Sequence, residues 1–244
     1  MTNGTPLLLL HGAESGASQY LDLIGSLPAS ITPIAYDQRD TGSDVAAAPY
    51  RLEDLADDAA AVLDSRGLDQ AHVLGTSFGG AVAQHLALRH PARVRSLILL
   101  ATTASPGPVQ EYLRVSASIP DTQRRQWVLD GAVSPAGQRD PALLQRVRAS
   151  VVERTPQQRA RRLGALAEHD TTTLVERILA PTLVIHGDDD PVIPVSSGRF
   201  LARTIPGAEL AVLAGGRHAL AFEFRDQVAD LVSTFVGKHD RDRS

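Results

Sequence analysis

The stretch HVLGTSFGGAV, residues His72–Val82, sets one serine among three glycines between two apolar segments. The residues before it, Ala71–Leu74, read as a buried strand, and those after it, Gly79–His90, as a helix. Gly75-Thr76-Ser77-Phe78-Gly79 then spells G-x-S-x-G across a strand-to-helix reversal. Such a reversal is sharp enough to force the serine into a strained conformation, its hydroxyl held out at the end of the sheet. A side chain two positions to either side would collide with the returning chain, so glycine is needed there. The motif carries weight only with a fitting context and chemical partners elsewhere.

The rest of the chain supplies the context. Short apolar runs at Leu7–Leu10, Ile34–Tyr36, Ala71–Thr76, Val94–Ala101, Thr182–His186 and Glu209–Leu213 read as strands. Their near-continuous apolar character suits a parallel sheet covered on both faces. Amphipathic stretches alternate with them. Leu52, Leu55, Ala56, Ala59, Val62 and Leu63 share a face before a stop at Gly67, and Phe224, Val228, Leu231, Val232 and Phe235 share another. This order predicts an α/β fold with a doubly wound, mainly parallel sheet of about six strands. Residues 102–180 break the rhythm, with helical patterns punctuated by prolines and no convincing strand. That is too long for a simple connection, so it reads as an inserted helical lid (102–180) on a core made of 1–101 and 181–244. The single tryptophan, Trp127, is expected to pack the lid's small core, with a place in a pocket wall as the alternative.

Composition excludes several chemistries. At 244 residues, 43% hydrophobic and 21% charged, the chain is an ordinary globular protein, and its net charge of −4 gives no reason to expect nucleic acid or an anionic membrane as partner. No cysteine is present, which removes disulfides and thiol nucleophiles. The only lysine, Lys238, lies near the end, against Schiff-base or P-loop chemistry. Leu7–Leu10 is too short for a signal core or a membrane span, and a cytoplasmic location is expected. The closing Lys238–Ser244 reads as a solvated tail.

Ser77 needs a base, and a histidine serves if a carboxylate fixes its tautomer. With the serine on an elbow, the expected chain order is serine, acid, histidine. LVIHGDDDPVIP (Leu183–Pro194) places Asp188, Asp189 and Asp190 just past the fifth strand, and LAGGRHAL (Leu213–Leu220) places His218 past the sixth. Chemistry in an open α/β sheet gathers at these carboxyl ends of strands. The other histidines read as core, edge, helix or tail residues, with His11 able to orient a loop. Two backbone N–H groups should face an oxyanion: that of Phe78, heading its helix, and that of Ala13 in LLLLHGAESG.

Together, LLLLHG, YDQRDTGSD, HVLGTSFGGAVAQHLALRHPARVRSLIL, PTLVIHGDDDPVIP and GGRHAL resemble the α/β-hydrolase superfamily over essentially the whole chain. Within it, the chain is similar to the esterase, enol-lactonase and haloperoxidase-like group. RDTG (Arg39–Gly42) resembles the matching loop of anthracycline methylesterases, where most relatives have Arg-Gly; Asp40 is read as stabilising the loop. The resemblance implies the triad Ser77, Asp190 and His218, with the acid three residues after Gly187. Pro191 favours an extended Asp190, which helps to hold its direction. It implies no cofactor, and a small-molecule ester or lactone as substrate. One departure stands out: the hairpin that usually precedes the His-Gly strand looks absent. The strand around Ile34–Tyr36, with Pro33 at its start, should therefore lie at the sheet edge, which leaves room for a homodimer.

The leading expectation is a serine hydrolase acting through an acyl-enzyme. Other triad reactions (C–C hydrolase, lyase or perhydrolase), a non-turnover receptor and a metal site at His186–Asp190 stand as alternatives.

Overall fold

The computed structural model describes residues 4–42 and 45–240. Its strands are β1 (Thr5–Leu10), β2 (Ile31–Ala35), β3 (Ala71–Thr76), β4 (Val94–Leu100), β5 (Thr182–Gly187) and β6 (Glu209–Leu213). Its helices are α1 (Leu21–Ser26), α2 (Leu52–Ser65), α3 (Phe78–Arg89), α4 (Pro106–Ser118), α5 (Asp121–Ala132), α6 (Pro141–Ser150), α7 (Pro156–Ala167), α8 (Val195–Thr204), α9 (Leu220–Glu223) and α10 (Arg225–Asp240). The strands form one six-stranded parallel sheet in the order β2-β1-β3-β4-β5-β6.

The run of leucines in β1 shows why the sheet is buried on both sides. Successive side chains on a strand point to opposite faces. Leu8 and Leu10 enter one core with Val73, Leu97, Leu99 and Val184, beneath α2, α3 and α8. Leu7 and Leu9 enter the other with Leu74, Ile98, Leu100 and Ile185, beneath α1, α9 and α10. All four leucines are fully buried. Each such burial contributes about 2 kcal/mol relative to leaving the side chain in water. The doubly wound arrangement follows, because an apolar strand needs a helix on each face.

The strand β2 lies at the sheet edge as expected, but it begins at Ile31 and Pro33 stands in its middle rather than at its start. Within the sheet β2 pairs only with β1, where Pro33 lies opposite Leu7. Gly67 adopts a left-handed φ of 65° just past the end of α2, as a helix-stopping glycine does. The closing residues differ from expectation. Lys238–Asp240 are the last turn of α10 rather than a solvated tail, with Lys238 paired to Glu209 and Asp240 joined to Thr5 and Arg95. Apolar α10 residues such as Phe235 and Val236 seat the helix so that its last turn meets β1 and β4. Residues 241–244 of that expected tail, and Ser43 and Asp44 of the YDQRDTGSD motif, lie outside the described residues.

Between β4 and β5 the chain runs through α4–α7, and among the described residues its β-pairing there is one isolated bridge, Ser15 to Val151. The prolines of this stretch mark helix starts. Ser105, Asp140 and Thr155 cap α4, α6 and α7 through their side chains, and each is followed by proline at the first helical position. Leu129, Val133, Leu143 and Val147 pack together with Phe222 of α9. Trp127 is not part of that cluster; it lines a cavity, the alternative considered for it.

Several histidines are buried inside this framework. Burial lowers His72 and His169 from 6.5 to about 4. Arg95 lowers His72 further, and Asp240 opposes the shift. The unfolded chain therefore takes up protons, between about pH 6.5 and 4, that these folded rings refuse. Their contribution is complete above about 6.5 and is lost as pH falls toward 4. Denaturant unfolding should lose about 1.4 kcal/mol per pH unit for each such ring in this window. Equal stability at pH 7 and pH 5 would overturn the assignment of neutral rings.

Candidate active site

The order of the sheet places the site. The chain moves outward from β1 to β2 and then returns to β3 on the other side of β1. The loops after β1 and β3 therefore part in opposite directions and leave a crevice at their carboxyl ends.

Ser77 follows β3 with φ 54° and ψ −115°, a strained conformation for a residue with a side chain. Its surroundings over-determine it. Its N–H donates to the Leu100 carbonyl (2.9 Å), and its carbonyl accepts from the Thr102 hydroxyl (2.8 Å). A Cβ on Gly75 would lie 2.2 Å from the Gly79 carbonyl oxygen, and one on Gly79 only 1.8 Å from that of Leu10. The G-x-S-x-G glycines are thus required by backbone packed directly on backbone.

The loop after β5 sorts the three aspartates. Asp188 accepts from the Gly215 N–H (2.7 Å), and Asp189 pairs with Arg217 (2.8 Å). Asp190 alone meets His218, whose Nδ1 lies 2.7 Å from Oδ2. Its other oxygen accepts from the Val192 and Ile193 N–H groups at 2.8 and 2.9 Å. Burial pushes the Asp190 carboxyl up, but the neighbouring His218, the Ile193 N–H and His186 hold it below its ordinary value. An ionised Asp190 makes Nδ1 the donor and leaves Nε2 of His218 as the basic nitrogen. Gly187 lets the two loops meet, since a Cβ there would lie 2.1 Å from the Gly216 carbonyl oxygen. Among the described residues no group of three or more His, Cys, Asp or Glu is placed to hold a metal ion. His186 is instead buried against the Ile193 carbonyl (2.8 Å).

The loop after β1 is equally constrained. The Gly12 N–H donates to Gln19 (2.9 Å), and Nε2 of His11 accepts from the Gln38 N–H (3.2 Å). This bond assigns the proton to Nδ1 of His11, which donates to the Gly12 carbonyl at 2.9 Å. Among the described residues, the N–H groups of Ala13 and Phe78 have no acceptor within the chain. Three arginines tie α7 and the segment before it to this region. Arg161 makes a two-pronged pair with Asp40 (2.7 and 2.9 Å), which itself sits at a left-handed φ of 59°. Arg154 donates to the carbonyls of Asp40 and Ser15, and Arg162 reaches those of Gly12, Ala13 and Arg39. Asp40 thus joins its own loop, through the Ala46 N–H, to Arg161 of α7.

Ser77, Phe78, Ala13 and His218 all line one cavity of about 290 Å³. Helices α4 and α5 contribute Tyr112 and Trp127, whose rings lie 5.4 Å apart. His169 also lines it, with its Nε2 donating to the Thr103 carbonyl (2.9 Å). Gln19, Arg162 and His169 belong to no motif that singles them out in the sequence. For Arg162 a weaker signal exists: it shares a helical face with Ala165 and Leu166, both buried in the core.

Residues 5–225 match the family described as "Serine aminopeptidase, S33". The chain belongs to the α/β-hydrolases. This α/β-hydrolase is 32% identical over 248 residues to the poly(3-hydroxyalkanoate) depolymerase of Ectopseudomonas oleovorans, covering 98% of this chain and 87% of the relative. It is 30% identical to the 2-hydroxymuconate semialdehyde hydrolase of Pseudomonas sp. strain CF600, covering 97% and 88%. A solved hydrolase from Pseudomonas aeruginosa PA01 superposes with a TM-score of 0.88 at 29% identity, covering 97% of this α/β-hydrolase and 91% of that chain. Among the described residues, no helix of the α/β-hydrolase is long and apolar enough to cross a membrane.

Proposed function

We propose that this α/β-hydrolase is a serine hydrolase, independent of a cofactor, that cleaves an uncharged carboxylic ester or lactone with an apolar acyl group. One observation carries the reading. Ser77 and His218, whose ring is held by the buried Asp190, border the same mostly apolar cavity, and among its described lining residues there is no lysine or arginine. Of the carboxylates in that wall, Glu111 is paired with Arg114, while Glu14, which accepts from the Tyr112 hydroxyl, would repel an anionic substrate.

Ser77 Oγ attacks the substrate carbonyl carbon as its proton passes to Nε2 of His218. The Ala13 and Phe78 N–H groups hold the oxyanion of the tetrahedral intermediate. Its collapse breaks the bond to the alkoxide, which takes the proton from His218 and leaves an acyl-enzyme. Water then adds to the acyl carbon, giving its proton to His218, and the second collapse returns that proton to Ser77. The apolar walls bind the acyl chain.

A panel of p-nitrophenyl esters of matched length tests this reading, some neutral and some ending in a carboxylate. Neutral esters should exceed the anionic ones by about a hundredfold in kcat/KM, and Ser77→Ala should be inactive on both. Preference for the anionic esters, or turnover confined to a C–C bond, would overturn it.

A further inference from the structure

Among the described residues, Arg162 is the largest side chain that is fully buried. A guanidinium out of water is costly unless it is paired. Among the described residues, no carboxylate lies within ion-pair distance of this one. It meets backbone carbonyls instead: Ala13 at 3.1 Å, Arg39 at 3.1 Å and Gly12 at 3.2 Å. Its Cζ lies 4.1 Å from the centre of the Phe78 ring. Burial, with Arg154 nearby, lowers its pKa to about 10, so it stays charged at neutral pH.

Anchoring α7 does not require this arrangement. Arg154 and Arg161 already tie the same region to the Asp40 loop, Arg161 through a two-pronged pair with the buried Asp40 carboxylate. What Arg162 adds is a contact with both halves of the oxyanion site. The Gly12 carbonyl belongs to the same peptide unit as the Ala13 N–H. That carbonyl accepts from Arg162 and also from Nδ1 of His11, at 2.9 Å. Donors on a peptide oxygen draw electron density through the amide and strengthen its N–H as a donor. A charged donor does so more than a neutral one. The aromatic ring beneath the guanidinium belongs to Phe78, which carries the other N–H.

We propose that Arg162 is a positioning residue for the reaction: with His11 it fixes and polarises the Gly12–Ala13 peptide, so that the Ala13 N–H is ready for the oxyanion before it forms. This rests on the serine-hydrolase reading above. It also makes the hole depend on the lid, because Arg162 stands on α7.

The test compares Arg162→Lys and Arg162→Gln with the parent protein, using a neutral p-nitrophenyl ester and an alkylboronic acid. The boronate forms a tetrahedral adduct on the serine and places an oxygen in the hole. Weakening one hole donor should lower kcat by about tenfold to a hundredfold, less than the loss on removing one. The boronate inhibition constant should rise by the same factor while KM changes less than about threefold, the pattern of an interaction made only in the transition state. Lys, which keeps the charge, should retain more activity than Gln. Rates are referred to active sites titrated with a fluorophosphonate, so partial unfolding does not imitate the effect. His11→Leu, which has no donor for the same carbonyl, should show the same coupled change and serves if the Arg162 variants do not fold. A rise in KM alone, or a fall in kcat without weaker boronate binding, in any folded variant overturns the role of Arg162. A parent protein that neither turns over esters nor reacts with the fluorophosphonate overturns the hydrolase reading itself.

Discussion

Ser77→Ala should lower ester turnover by about 10⁴-fold or more while leaving the fold intact. The bonds that hold the elbow are made by the backbone of Ser77: its N–H to Leu100 and its carbonyl from Thr102. Alanine keeps both, and it bears the positive φ of 54° no worse than serine does. The thermal midpoint should stay within a few degrees of the parent value, and the cavity should still bind a product carboxylic acid or alcohol. Only the atom that attacks is gone. Activity above a few per cent of the parent would show that another nucleophile does the work.

Asp190→Asn should cost about 10⁴ in turnover, the size of loss that the same replacement causes in a well-studied serine protease triad. The structure indicates how the amide would sit. The Asp190 oxygen that accepts from Val192 and Ile193 must remain an oxygen, because those partners are N–H groups. The amide nitrogen is then forced toward His218, where Nδ1 lies 2.7 Å from the second carboxylate oxygen. Two donors cannot share one hydrogen bond, so His218 must carry its proton on Nε2. In that tautomer it cannot accept the serine proton. Asp188→Asn and Asp189→Asn, whose partners are Gly215 and Arg217, should each cost less than about tenfold. Steady-state assays of the three variants on one ester decide the matter. A larger loss at either neighbour would place the acid elsewhere.

These two predictions rest on residues that can be read from the sequence, and the reason is local. A strand-to-helix reversal around Ser77 depends on a few glycines and on chain continuity, so G-x-S-x-G records it directly. Consecutive leucines disclose a strand buried on both faces, because the period of two sends neighbouring side chains to opposite sides. The aspartates are harder. Spacing alone leaves three candidates, and the choice of Asp190 leans on family likeness until the loops after β5 and β6 are seen in contact.

What only the tertiary structure decided lies where distant segments meet. The sequence suggests Trp127 for the lid's small core, yet it lines the cavity beside Tyr112, while Leu129 of the same helix enters the cluster with Val133 and Phe222. The residues Lys238–Asp240 read as a solvated tail, but α10 carries them to β1 and β4. Helical spacing from Ala165 and Leu166 can put Arg162 on an inward face, but no local pattern says that its guanidinium meets Gly12 across 150 positions of chain. Periodicity and turn chemistry are short-range and survive in the order of residues. The burial of a charge, and the choice of carbonyls it satisfies, depends on which surfaces the packed fold brings together.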